Sequence, residues 1–249
     1  MHSLTKLLVL ILLIFSARPV YATVLIFEAG FGQDETTWQP LLKALPDTYK
    51  VVTYTRQSIA DPAAKPTSIA QDVSHLLKKV KQYQGEEILL VGHSYGGLVV
   101  AEAALLAPEL IDGVILLEPT VRSQRKQFQA IDRARIAADD ALLKKYIPPR
   151  LAPQLELLMQ QLDDSAIDSY PLPVQLPVVL VTSTRVEPEP LFFEETAAGK
   201  QQWLALHQAL IANSEEALHI RSRHFGHNPH IEAPAMVAAT ILQLIEQLH

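Results

Sequence analysis

Short apolar runs alternate along the chain with longer stretches in which apolar residues recur every three or four positions. Val24-Leu25-Ile26-Phe27, Val51 to Thr55, Ile88 to Val91, Val114 to Leu117, Val178 to Val181 and Ala217 to Ile220 read as strands. Between them, Trp38 to Leu45, Ser68 to Tyr83, Leu98 to Leu106, Lys200 to Ala212 and Pro234 to Leu248 read as helices. In the second of these, Ile69, Val73, Leu76, Leu77 and Val80 share one face, the stripe that a helix buries against a core. Such alternation predicts an α/β fold: a mostly parallel sheet of about six strands with helices on both faces. It stops between Pro119 and Pro173, in a stretch rich in Gln, Ala, Leu and charge and broken by Pro148-Pro149 and Pro153. Two or three helices outside the sheet are expected there, a lid insertion over about residues 120–172 that sits above the strand ends.

The N-terminus has a different character. Lys6 precedes a wholly apolar Leu7 to Phe15, and Val20 and Ala22 put small residues where a signal peptidase reads. Residues 1–22 are therefore expected to be a signal peptide cleaved after Ala22, which places the protein in the periplasm or outside the cell. The run is short for a membrane span, so no stable span is expected after cleavage; an uncleaved membrane anchor is the alternative. Residues 23–249 then suffice for one domain with its own core.

Composition narrows the chemistry further. The chain has 21 Lys and Arg against 27 Asp and Glu. The leader holds Lys6 and Arg18 and no acid, so the remainder is more acidic still and nucleic acid is excluded as a partner. With no cysteine, disulfides, a thiol nucleophile and thiolate metal sites are excluded as well. Arg122, Arg125, Lys126, Arg133 and Arg135 read as a solvated face of the insertion. Leu151 to Leu158 and Met159 read as packing within it.

One stretch carries most of the chemical information. Gly92-His93-Ser94-Tyr95-Gly96 joins a predicted strand to a predicted helix, the setting of a nucleophile elbow. Its glycines let strand and helix approach closely while Ser94 takes a strained backbone conformation. A serine hydroxyl is a poor nucleophile at its own pKa, so it needs an imidazole to take the proton and a carboxylate to orient the imidazole. Of nine histidines, His227 is best placed, in a loop between the last strand and the closing helix. His224 and His230 flank it at metal-like spacing, but the loop offers no Cys, Asp or helical His pair, so no metal is expected. His93 reads as a core residue, and His75 and His207 as ordinary helix positions. Glu118 stands directly at a carboxyl strand end, where ligands bind in open α/β sheets. Glu187 and Glu189 follow the next strand at a distance, and Glu187 remains the alternative acid. The attacked carbonyl needs N–H donors for its oxygen. Tyr95, after the nucleophile, offers one, and Phe31, in Glu28-Ala29-Gly30-Phe31-Gly32, is the candidate for the other.

Taken together, Gly30-Phe31-Gly32 with Trp38, Gly92 to Gly97, Val114 to Pro119, and Gly226-His227 with Glu232 and Pro234 resemble the α/β-hydrolase superfamily over nearly all of residues 23–249. The Glu-Ala-Gly start of the first loop resembles a subgroup that has Glu-Ala-Gly where many other members of the superfamily have His-Gly, and that likeness implies Glu118 as the acid. Two departures stand out. Tyr54-Thr55-Arg56-Gln57-Ser58 lacks the Asp and glycines that often follow this strand, which implies a reshaped loop. The two antiparallel strands that usually come first are missing, which implies a short sheet. The resemblance implies a serine hydrolase that cleaves a carboxylic ester of a small-molecule acyl substrate through an acyl-enzyme, without a cofactor. Amide, lactone or thioester cleavage on the same residues, or a ligand-binding protein on a hydrolase shell, are the alternatives. Oligomeric state is left open.

Overall fold

The computed structural model describes residues 23–166 and 170–249; the expected leader lies outside the described residues. Six strands, β1 Thr23–Glu28, β2 Lys50–Val52, β3 Glu87–His93, β4 Gly113–Leu117, β5 Val178–Ser183 and β6 Ala217–Ser222, form one sheet in the order β2-β1-β3-β4-β5-β6. All neighbours are parallel. The helices are α1 Gln39–Leu42, α2 Gln57–Ala60, α3 Ile69–Val80, α4 Tyr95–Leu106, α5 Gln124–Tyr146, α6 Ala152–Asp163, α7 Ala197–Leu210, α8 Pro229–Glu232 and α9 Pro234–Leu248.

Both faces of the central strands are covered, which is why the middles of β1, β3, β4 and β5 are runs of apolar residues instead of alternating with polar ones. Val24 and Ile26 of β1, Ile88 and Leu90 of β3, and Val114 and Leu116 of β4 pack with α3 and α4. Their neighbours Leu25 and Phe27, Leu89 and Val91, and Ile115 and Leu117 pack with α1 and α9. The start of α3 is set locally: Ser68 accepts from the Gln71 amide while the Gln71 side chain accepts from the Ser68 amide, a capping box that satisfies two otherwise orphaned donors.

The expected strand at 51–55 ends at Val52. β2 is an edge strand paired only through residues 50–52, and beyond it Tyr54 and Arg56 turn inward to the buried Glu28 carboxylate. Satisfying a buried charge outweighs three more residues of edge pairing. Between β4 and β5, the expected insertion consists of α5 and α6. α5 kinks at Asp132 (φ −148°, ψ 85°), where the Asp132 carboxylate accepts from the Arg135 amide at 2.9 Å and so caps the second half. A small cluster of Phe128, Ile136, Phe193, Trp203 and Leu206 ties this insertion to α7. Among the described residues, no helix is long and apolar enough to cross a membrane.

Chain order runs outward from β1 in both directions, to β2 on one side and to β3 through β6 on the other. The crevice at the carboxyl ends of β1 and β3 is therefore the topological switch point, where ligands bind in sheets of this kind.

Candidate active site

Ser94 lies at that crevice. It sits between β3 and α4 with φ 52° and ψ −120°, a positive φ that costs a non-glycine residue of order 1–3 kcal/mol unless the surroundings enforce it. They do so here: its amide donates to Leu117 O at 3.0 Å, and its carbonyl accepts from the Thr120 and Leu98 amides at 2.9 and 3.2 Å. Glycine is required at position 96, because a Cβ there would fall on the carbonyl oxygens of Glu28 and Ala29. The helix can approach β1 this closely only without a side chain.

Long-range folding brings His227 to Ser94. Its Nε2 is 3.0 Å from Ser94 Oγ, and its Nδ1 is 3.4 Å from Glu118 Oε2, within the loose range usual for such bonds before substrate arrives. Three ties hold the loop that carries it. Glu232 accepts from the Gly226 amide at 3.0 Å, Ser183 Oγ donates to Phe225 O at 2.7 Å, and His93 Nε2 donates to His227 O at 2.7 Å. His93 is thus buried, as read from the sequence. Burial, with His227 and His230 nearby, pushes its pKa well below the ordinary value.

Glu118 is fully buried and also has a positive φ, 49°. Its Oε1 accepts from the Ser183 amide at 2.5 Å and from Trp203 Nε1 at 3.1 Å. Its Oε2 faces His227 and, at 3.7 Å, Lys200 Nζ. Burial by itself would raise the carboxyl's pKa; the His227 hydrogen bond and Lys200 outweigh it and hold it below the usual value. For His227, burial lowers the pKa, but the Glu118 hydrogen bond and the charges of Glu194 and Glu118 carry it above 6.5. Glu187 is directed elsewhere, accepting from Arg185 Nε at 2.6 Å, and Glu189 is exposed. Of the other two histidines in the loop, His230 is buried with Nε2 3.0 Å from Thr37 Oγ1, while His224 is exposed.

Phe31 and Tyr95 line the same cavity as Ser94. The Tyr95 N–H is the first of α4 and so has no intrahelical acceptor. The cavity measures about 500 Å³. From the insertion come Phe128, Leu143, Ile147, Leu155, Leu158 and Met159, so residues read from the sequence as mere lid packing also form an apolar wall. Arg125, read as solvated, is clamped between Asp140 and Asp163 at 2.6 and 2.7 Å.

Sequence reading missed several supporting groups. His207 is fully buried. Its Nε2 donates to Pro119 O at 2.9 Å and its Nδ1 accepts from Thr182 Oγ1 at 2.7 Å, while Thr182 accepts in turn from His219 Nε2 at 2.8 Å. Burial pushes both histidines down to about 4, so the chain is neutral and fully satisfied, and it secures the backbone just after Glu118. A signal was available: His207 falls four residues after Trp203 and three before Leu210, on the buried stripe of α7. Lys200, Trp203 and Glu194 were also missed. Glu194 lines the cavity, and burial raises its pKa despite His227 and Lys200 nearby. Nothing local in the sequence marks it.

Fold and geometry together define a class. The alpha/beta hydrolase family profile matches residues 24–240, and the chain belongs to that family. Among its relatives, the uncharacterized protein YqjL of Bacillus subtilis (strain 168) is 25% identical over 221 residues, covering 87% of this chain and 81% of YqjL. The provisionally named carbamate hydrolase RutD of Agrobacterium fabrum (strain C58 / ATCC 33970) is 29% identical over 99 residues, 39% of this chain and 38% of RutD. In three dimensions the chain is similar to the provisionally named non-heme bromoperoxidase BpoC of Mycobacterium tuberculosis H37Rv. The TM-score is 0.62 at 18% identity, over 92% of this chain and 93% of that one, a likeness of fold alone.

Proposed function

We propose that this protein is a serine hydrolase that cleaves carboxylic esters through an acyl-enzyme. The observation that carries the reading is the 3.0 Å approach of His227 Nε2 to Ser94 Oγ at the floor of a largely apolar cavity of about 500 Å³. Ser94 Oγ attacks the ester carbonyl carbon as its proton passes to His227 Nε2. Glu118 holds the ring with Nδ1–H toward itself and stabilises the imidazolium that forms. The carbonyl oxygen, now negative, is received by the Phe31 and Tyr95 amides. His227 then returns the proton to the leaving alkoxide. A water molecule then gives a proton to the same ring as its oxygen bonds to the acyl carbon. The ring passes that proton to Ser94 Oγ as the acyl–Oγ bond breaks, releasing the acid and restoring Ser94. No cofactor is needed for any of these steps.

Apolar side chains from α5 and α6 support a small-molecule substrate with an apolar acyl chain, the two helices acting as a lid. The Leu7 to Phe15 segment supports export to the periplasm or beyond. Likeness to RutD favours testing carbamates beside esters, since both present a carbonyl to the same serine. The test is intact mass of the protein before and after a fluorophosphonate probe, beside Ser94→Ala and His227→Ala. One adduct on wild type that both substitutions abolish is expected, followed by turnover of p-nitrophenyl esters. No adduct on folded wild type would refute the reading and leave a ligand-binding shell.

A further inference from the structure

A single buried side chain meets both the Gly30 carbonyl, which shares a peptide unit with the Phe31 amide, and the ring of Tyr95. Arg56 is 8% exposed. Its Nη1 donates to Glu28 Oε1 at 2.5 Å and to Ala29 O at 2.6 Å, and its Nη2 donates to Gly30 O at 2.5 Å. The Gly30 carbonyl and the Phe31 N–H belong to one peptide unit, which is planar and trans, so they point in opposite directions. A donor fixed on Gly30 O therefore fixes where the Phe31 N–H points. Such a restraint matters next to a glycine, whose backbone otherwise rotates freely. On the other side, the Arg56 guanidinium lies 5.0 Å from the centre of the Tyr95 ring, and the Tyr95 hydroxyl donates to Asp72 at 2.6 Å. The ring is thus anchored beneath the first N–H of α4.

Resting on the serine-hydrolase reading, we propose that Arg56 is a positioning residue for acyl transfer. Through the Gly30 carbonyl and the Tyr95 ring it aims the Phe31 and Tyr95 amides at the oxygen that becomes negative. It does not line the cavity that holds Ser94. Its charge lies behind the amides and polarises the Gly30–Phe31 peptide in the direction that strengthens the N–H as a donor. Glu28 balances that charge, and the Tyr54 hydroxyl donates to the other Glu28 oxygen. The early end of β2 at Val52 lets the following residues turn inward and deliver the guanidinium to this place. A buried ion pair serving only stability would need Glu28 and Arg56 but not the two carbonyl contacts.

The experiment compares wild type, Arg56→Lys and Glu28→Gln. Lysine keeps a cation beside Glu28 but loses the planar fork that spans Ala29 O and Gly30 O. Glutamine removes the ion pair and leaves the carbonyl bonds. Each protein is measured for thermal stability, for kcat and KM on a short p-nitrophenyl ester, and for inhibition by an alkylboronic acid, whose tetrahedral serine adduct mimics the transition state. Removing one oxyanion donor costs about 10²–10³ in kcat, so misaiming one is expected to lower kcat of Arg56→Lys about 30-fold. KM should stay within about threefold, and the boronate should weaken in step with kcat/KM. Glu28→Gln is expected to lose stability yet keep kcat and boronate affinity within about threefold of wild type. Unchanged kcat and boronate binding in Arg56→Lys, or an equal catalytic loss in Glu28→Gln, would overturn the proposal. Should Arg56→Lys not fold, the crystal structure of phosphonylated wild type decides. The phosphonyl oxygen about 3 Å from both amides, with Arg56 still on Gly30 O, supports the assignment, and a flipped Gly30–Phe31 peptide refutes it. Failure of the hydrolase reading shows separately, as wild type that neither turns over an ester nor takes the probe; this proposal then falls with it.

Discussion

Replacing Glu118 by glutamine separates the charge of the proposed orienting acid from its shape. The carboxylate Oε1 accepts two N–H donors, from Ser183 and Trp203, so the glutamine carbonyl is held at that position and its NH₂ takes the place of Oε2, opposite His227 Nδ1. An amide there can only donate. The neutral ring then turns to the tautomer with its proton on Nε2, the nitrogen that must take the proton from Ser94. In a serine triad an acid-to-amide change of this kind lowers kcat by about 10⁴. The 3.4 Å bond in this protein is long, so a loss of about 10³ is expected, near 4 kcal/mol of transition-state stabilisation at 1.36 kcal/mol per tenfold. The fold should survive, because both Oε1 bonds persist and the volume is unchanged. Thermal denaturation checks the fold. Function is read from kcat/KM on p-nitrophenyl butyrate and from the rate of fluorophosphonate labelling, which needs the activated serine and no particular substrate. A folded Glu118→Gln that labels and turns over within about tenfold of wild type would refute the assignment. If Glu187→Gln showed the loss instead, the orienting acid would be the one now paired with Arg185.

Further expectations follow from the same geometry. Because His227 titrates above 6.5, its basic form is lost as pH falls through that raised value. The acid limb of kcat/KM should therefore have its midpoint above the ordinary histidine value of 6.5, and a midpoint below that value would contradict the geometry. Glu194→Gln removes one of the charges that raise His227, so it should shift that limb to lower pH in the same profile. Gly96→Ala puts a Cβ onto two carbonyl oxygens and should destabilise by about 3 kcal/mol or more; denaturant melts that match wild type would contradict the elbow packing. Met159→Trp, in the apolar wall of the cavity, should shift the preferred p-nitrophenyl ester toward shorter acyl chains with little change for acetate. An unaltered chain-length profile would place the acyl chain elsewhere.

Much of this architecture was legible along the chain. Strands buried on both faces must be apolar at every position, and helices that cover them must carry one apolar stripe, so β1, β3, β4, β5 and α3 announce themselves through local pattern. The elbow is legible for a related reason: a Cβ at Gly92 would meet the backbone of α4 and one at Gly96 would meet the end of β1, and such a constraint is written within five neighbouring residues. What the chain could not reveal by itself depends on residues far apart in sequence. His227 meets Ser94 across 133 positions and Glu118 across 109, and only the order and register of the six strands sets those distances. Strand-end position and likeness favoured Glu118 over Glu187 along the chain, and only the tertiary structure brings the Glu118 carboxylate to His227 Nδ1 while Glu187 faces Arg185. Arg56 and Glu194 carry no local mark because their partners come from other elements, and the stripe of α7 marks His207 as buried without showing that Pro119 and Thr182 await it. Periodicity reports whether a position faces the core, but which polar atom awaits it there is decided only when the elements pack.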